Sequence, residues 1–309
     1  MIKNNKYSKD TIIVSGMPRT ATTIVGRLIS YKMPYSTIYE PFNISQGLKS
    51  VDINYLIPNS NISEYNFDKI FNGLLNLDGQ FRLGVKLNDS SLKKIIKYII
   101  GNESSISFKK AKYVSRKRGL ILKDPFLLFA SKHIAKNHKV IMCERPLLPL
   151  AGSFKRMSWS FDEYSRLLKD FNIIDIDIQK PNQFNNGNIS PFVIGAIQFF
   201  YLYSVFKRNL LNDDNIYMFD QNELSVNPNQ SIMSLFDWLN IDYSKNDIDK
   251  IVINISGSSK KNKSPKEGVQ HDHLYDKQHA NDYFNSILTN NEIEYVKECE
   301  RVICSGGEI

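Results

Sequence analysis

The sequence predicts a three-layer α/β fold, a central parallel sheet flanked by helices. Three observations predict it. Short apolar runs alternate with segments of helical spacing along most of the 309 residues. Several of these runs centre on consecutive apolar residues, as strands buried on both faces do. They end in a glycine or in a charged residue next to a proline: Gly16, Glu40-Pro41, Lys123-Asp124-Pro125 and Glu144-Arg145-Pro146.

The elements follow in order. Thr11 to Ser15 is a strand, and Gly16-Met17-Pro18-Arg19 a tight turn. Ala21 to Tyr31 is a helix, because Ile24, Val25, Leu28 and Ile29 share one face. Ser36 to Tyr39 reads as a second strand, and a helix lies near Phe67 to Leu75. Ser90 to Ile100 is expected to be an amphipathic helix, and the basic stretch from Phe108 to Arg118 an exposed segment. Gly119 to Leu122 and His138 to Cys143 are strands, followed by helices to about Lys136 and toward Trp159. Phe171 to Ile189 is polar and Asn-rich, a surface loop or lid. Pro191 to Phe206 is the most apolar stretch; it falls short of the ~20 apolar residues a spanning helix needs and reads as a core helix. A strand at Asn215 to Phe219 precedes helices near Ser231 to Leu239, Asp247 to Ile253 and Asn291 to Val302. Ser256 to His279 has little periodicity and is expected to be a mobile basic segment. No linker or repeat divides the chain, so residues 1–309 read as one domain.

Hydrophobic residues are 42% and charged residues 23%, which excludes a disordered chain, a collagen-like fibre and a coiled coil. Lys+Arg 40 against Asp+Glu 32 leaves a net charge of +8, which suits an anionic partner. Nucleic acid is not expected: the basic run Lys109 to Arg118 has only Tyr113 interleaved. Cys143, Cys299 and Cys304 are too few for a disulfide framework. The start, Met1 to Asp10, is polar and lysine-rich, so no signal peptide is read. The expected location is the cytoplasm, with at most peripheral membrane contact. His271-Asp272-His273 and Cys299 with Cys304 lack the further ligands a metal site requires, so no metal is expected.

The first segment that carries chemistry is Gly16-Met17-Pro18-Arg19-Thr20-Ala21-Thr22-Thr23. A strand, a tight turn and a helix N-terminus make a phosphate loop, with free N–H groups and the helix dipole facing an anion. Thr20, Thr22 and Thr23 add hydroxyls, and Arg19 a planar cation. A nucleotide-triphosphatase loop would place glycine and lysine at the positions of Ala21 and Thr22. Without that lysine, ordinary ATP or GTP hydrolysis is disfavoured. The second segment is Arg145 and Ser153, eight residues apart. Arg145 follows a strand end, where open α/β sheets bind ligands, and Ser153 lies two turns into the next helix.

Together these segments resemble the sulfotransferases that use 3′-phosphoadenosine 5′-phosphosulfate (PAPS). That family's first motif is Pro-Lys/Arg-Ser-Gly-Thr-Thr, here Pro18-Arg19-Thr20-Ala21-Thr22-Thr23. Its second is Arg-x-x-x-Asp-x-x-x-Ser, here Arg145, Pro149 and Ser153. Glu40-Pro41-Phe42 and Leu122-Lys123-Asp124-Pro125-Phe126 are similar to segments of the tyrosylprotein and glycan branch. Asn222 to Pro228 is a weaker match to a Tyr-Glu-Asp-Leu-x-x-x-Pro segment. Ala21, Pro149 and Gln221 depart from the pattern, standing where the family has glycine, aspartate and often tyrosine.

The resemblance implies a P-loop-type fold and an O-sulfotransferase with PAPS as donor and no metal. A sulfuryl group carries one negative charge fewer than a phosphoryl group, so fixed cations and N–H dipoles suffice. Gly16, Pro18, Arg19, Thr20, Ala21, Thr22 and Thr23 would bind the cofactor, with the 5′-phosphate at the Thr22-Thr23 end, and Arg145 and Ser153 would hold the 3′-phosphate. The implied catalytic residues are Arg19 at the bridging oxygen, Glu40 as general base and Lys123 as a second cation. Lys260, Lys261, Lys263 and Lys266 fall where many members close a basic loop. The implied acceptor is a carbohydrate hydroxyl, on a glycan or lipid-linked glycan, ahead of a small molecule or a peptide tyrosine. The alternatives are a small-molecule kinase using ATP and an inactive nucleotide-binding homologue.

Overall fold

The structure is a computed structural model and describes residues 11–85, 90–91, 101–114, 119–173, 189–210, 213–256 and 283–305. Five strands form one sheet: β1 (Thr11–Gly16), β2 (Ser36–Tyr39), β3 (Leu120–Lys123), β4 (Lys139–Glu144) and β5 (Ile216–Asp220), in the order β2-β3-β1-β4-β5. The pairings of β1 with β3, β1 with β4 and β2 with β3 are all parallel. Helices flank the sheet, as the sequence predicts. All six residues of β1 are buried, which fits its apolar centre Ile12-Ile13-Val14.

Two compact units are present, Met1–Cys143 with Asn212–Met218 and Glu144–Leu211 with Phe219–Ile309. Their boundaries fall inside β4 and β5, where the composition of the chain does not change.

The first unit holds α1 (Thr22–Lys32), α2 (Glu64–Leu75), α3 (Glu103–Val114), a 3-10 turn at Pro125–Ala130 and α4 (Ser131–Ala135). Helix α1 packs on β1, β2 and β3 through Val25, Leu28 and Ile29. Helix α2 is capped by Ser63, whose side chain accepts from the Asn66 N–H. It buries Phe67 and Phe71, which stack on each other at 5.7 Å. Helix α3 refines an expectation. Phe108 to Val114 is helical: Lys109, Lys110, Lys112 and Tyr113 are exposed as expected, while Ser104, Phe108 and Ala111 are buried where the helix packs on β2. Its lysines lie on the opposite, solvated face. The helix expected before β4 is a 3-10 turn that runs into the short α4.

The second unit is helical beyond the strand ends. It contains α5 (Leu147–Met157), α6 (Tyr164–Phe171), α7 (Pro191–Arg208), α8 (Gln221–Val226), α9 (Pro228–Leu239), α10 (Lys245–Ser256), a 3-10 turn at Tyr283–Ser286 and α11 (Asn290–Ser305). The apolar stretch is a buried helix: α7 covers Val193, Ala196, Ile197, Phe199 and Leu202 against α5, α6 and α11. Among the described residues no helix is long and apolar enough to cross a membrane. Glu292 ties three elements together. Buried on α11, it accepts from Lys155 Nζ of α5 at 2.6 Å, the Ser190 N–H that opens α7 at 3.2 Å and the Thr289 N–H at 2.8 Å. The expected helix over 90–100, the lid and the basic segment of 256–279 lie largely outside the described residues, from 92, 174 and 257 on.

Gly16 ends β1 at φ 137°, and a Cβ there would meet the Cys143 carbonyl oxygen at 2.1 Å. The turn therefore needs glycine at this position. Gly16→Ala is expected to cost about 3 kcal/mol or more, since the neighbour is backbone and cannot yield. Urea unfolding of the two proteins checks this.

Candidate active site

Parallel strands bring their C-terminal ends to one edge of a sheet, and the chain leaves β1 toward β2 while β3 crosses to β4. The order thus reverses about β1, the place where open α/β sheets take ligands. Register puts Gly16 opposite Cys143, and Lys123 opposite both Val14 and Tyr39. The phosphate loop, Lys123 and Glu40 therefore share one edge of the first unit, on strands roughly 4.8 Å apart.

The loop begins with Met17 N–H donating to the Cys143 carbonyl at 3.3 Å. Arg19 and Ala21 both adopt left-handed backbone, at φ 68° and 63°. Such residues turn successive N–H groups into a concavity that suits an anion. Ala21 is the N-cap of α1 and gives no side-chain hydrogen bond, so the first N–H groups of the helix, those of Thr22 and Thr23, meet no cap. Thr22 is buried while Arg19 and Thr23 are half-buried. The buried hydroxyl of Thr20 donates to the Met17 carbonyl at 2.6 Å and braces the loop. The left-handed conformation at position 21 favours glycine over the alanine that stands there. Left-handed backbone costs an alanine about 1 kcal/mol and a glycine nothing.

Glu40 and Lys123 form an ion pair at 2.7 Å, with side chains 19% and 6% exposed. Lys123 is therefore a buried cation rather than a solvated strand end. The second oxygen of Glu40 accepts from Asn43 Nδ2 at 3.0 Å and Gln46 Nε2 at 3.3 Å. Glu40 sits at φ 46°, and its N–H donates to the Lys123 carbonyl at 2.8 Å, carrying the β2–β3 ladder one residue past the strand. Left-handed backbone at a glutamate is strain held by its surroundings, a feature that gathers at functional sites.

Asp124 is the residue that sequence reasoning missed. It is fully buried and accepts from the Phe42 N–H at 2.6 Å and the Phe126 N–H at 2.9 Å. The local bond was legible: Asp before Pro at a helix start is a cap signature. The bond to Phe42 spans 82 residues and left no local signal. Burial pushes the Asp124 carboxyl up to about 7, and the charge of Glu40 adds to the rise, while the two N–H donors and Lys123 oppose it.

Arg145 and Ser153 belong to the second unit. Both are buried, and the Arg145 guanidinium lies 5.5 Å from the Tyr283 ring centre. Arg156 approaches the same ring at 5.8 Å, and the Tyr283 hydroxyl donates to the Pro149 carbonyl at 2.8 Å. Pro149 lies in the first turn of α5, where a missing N–H costs nothing. Gln221 opens α8 and is buried. The expected basic-loop lysines, His271 and His273 lie outside the described residues.

No protein-family model matches the chain, and no curated protein matches it. Solved structures similar to it include mouse sulfotransferase SULT7A1 complexed with PAP, 13% identical over 97% of this chain and 89% of that one, at a TM-score of 0.43. Sulfotransferase STF9 from Mycobacterium avium is 12% identical over 98% and 78%, at 0.42. Retinol dehydratase in complex with androsterone and PAP is 11% identical over 98% and 82%, at 0.47.

Ala21→Gly is expected to raise stability by about 1 kcal/mol by relieving the left-handed alanine, read from urea midpoints. The raised Asp124 group has a set sign. The folded chain holds a proton that the unfolded chain releases near its ordinary 3.8, so this group's contribution is full below about 4 and lost as pH rises to about 7. Wild type is expected to lose stability relative to Asp124→Asn between pH 5 and 7 and to run parallel to it above, measured by urea unfolding across that range.

Proposed function

We propose that the chain transfers a sulfuryl group from PAPS to an acceptor hydroxyl. One observation carries the reading: a paired Glu40 and Lys123 share a strand-end edge with a left-handed phosphate loop that has no Walker lysine. The loop's N–H groups and the cradle that only Gly16 fits suit a phosphate. In this reading the loop binds the 5′-phosphate and Arg19 faces the bridging oxygen as the sulfur–oxygen bond breaks. Glu40 takes the proton of the acceptor hydroxyl as its oxygen bonds to sulfur. Lys123 orients Glu40 and faces the sulfonate oxygens. Arg145 and Ser153 are assigned by their motif to the 3′-phosphate.

We propose a carbohydrate hydroxyl as acceptor, on a glycan or lipid-linked glycan; the net charge of +8 supports an anionic one.

Calorimetric titration with adenosine 3′,5′-bisphosphate, against ATP with Mg²⁺, tests the donor. The bisphosphate is expected to bind, and Arg145→Ala to weaken it about 10- to 100-fold, the worth of one charge-assisted contact. Binding of ATP-Mg²⁺ alone would overturn the reading. Glu40→Gln is expected to lower kcat about 10²- to 10⁴-fold with bisphosphate affinity kept, measured with PAPS across an acceptor panel. Bisphosphate binding with no transfer to any acceptor would instead mark a protein that only binds nucleotide.

A further inference from the structure

Two buried contacts fix Phe42, two residues beyond Glu40. Its ring packs against the stacked α2 pair, 6.0 Å from Phe67 and 6.4 Å from Phe71. Its N–H is held by Asp124. Asp124 reaches further through its own backbone. Its N–H donates to the Val14 carbonyl at 2.9 Å, and its carbonyl accepts from Ser15 Oγ at 2.8 Å. One residue thus joins the end of β1, just before the phosphate loop, to the end of β3 and to the segment that carries Glu40.

The 3-10 turn at Pro125–Ala130 needs only one of these bonds, from Phe126 to Oδ1. The other oxygen is spent on a segment 82 residues away, in a place where an ionised carboxyl is costly. Between Glu40 and Phe42 stands only Pro41, whose φ is locked. Displacing Phe42 N–H therefore displaces Glu40. A left-handed glutamate has no local preference to return it.

We infer that Asp124 is a positioning residue for the Glu40–Lys123 pair, setting through the Phe42 N–H where the Glu40 carboxylate stands. The inference rests on the transfer reading for what the pair does. The geometry it asserts can be measured without that reading. Asparagine at 124 keeps one acceptor and turns an NH₂ group toward an N–H donor.

The test is a double-mutant cycle of Asp124→Asn and Glu40→Gln. Asp124→Asn is expected to lower kcat at least 10-fold and to leave bisphosphate affinity within about 3-fold. The double variant is expected to be no slower than Glu40→Gln alone. Fully additive losses, or bisphosphate affinity falling in step with kcat, would overturn the inference, since both follow from a merely structural role. A second variant guards against misfolding. Phenyllactic acid in place of Phe42 converts that amide to an ester, deleting the donor while leaving Asp124 intact, and the same kcat loss is expected. If wild type transfers no sulfuryl group, the transfer reading fails and crystal structures decide the positioning. Separation of Glu40 Oε1 from Lys123 Nζ beyond 4 Å in either variant supports it, and an unchanged 2.7 Å pair in both sinks it.

Discussion

A carboxylate removed from water must be met by hydrogen-bond donors, and at Asp124 the donors are two backbone N–H groups from distant parts of the chain. That requirement organises the edge of the sheet where the chemistry gathers. To satisfy Asp124, the segment after β2 must turn back toward β3, which brings Glu40 onto Lys123. The group is stable there only as a compromise, with its proton affinity raised by burial and lowered by its partners.

The same edge carries three of the left-handed residues. Arg19, Ala21 and Glu40 are all left-handed without being glycine, and each is at or beside a group assigned to chemistry. Backbone strain of this kind persists only where neighbours over-determine it. Here the neighbours are visible: Thr20 braces the loop from within, and the Lys123 carbonyl with Asn43 and Gln46 holds Glu40. In the second unit a ring does comparable work, with Tyr283 lying against Arg145 and Arg156 and anchored through its hydroxyl to α5.

Much of this was legible residue by residue. The apolar runs at β1, β3 and β4 and the Gly16 turn are local signals, set by strand burial and by glycine's freedom. Pro191 at the start of α7 and Ser190 before it form a readable cap. Other features were not legible. Helix α3 looked like a basic strip, because lysines on its wet face outweighed the small buried residues Ser104 and Ala111 on the other. Helix α6 passed unnoticed inside a polar stretch, since Tyr164, Leu167 and Leu168 give it only one buried turn. The short-range bond from Thr20 to Met17 depends on a turn that composition does not disclose.

The sequence by itself determined the strand–loop–helix start, the absence of the Walker lysine and the charged residues that follow the β2, β3 and β4 runs. These are matters of residue type and near-neighbour spacing, where sterics and periodicity act over a few positions. Only the tertiary structure decided that Glu40 and Lys123 are one ion pair and that Asp124 binds Phe42 across 82 residues. The reason is physical. Parallel pairing carries no mark of which strand lies beside which, and that order is set by the whole sheet closing over its core.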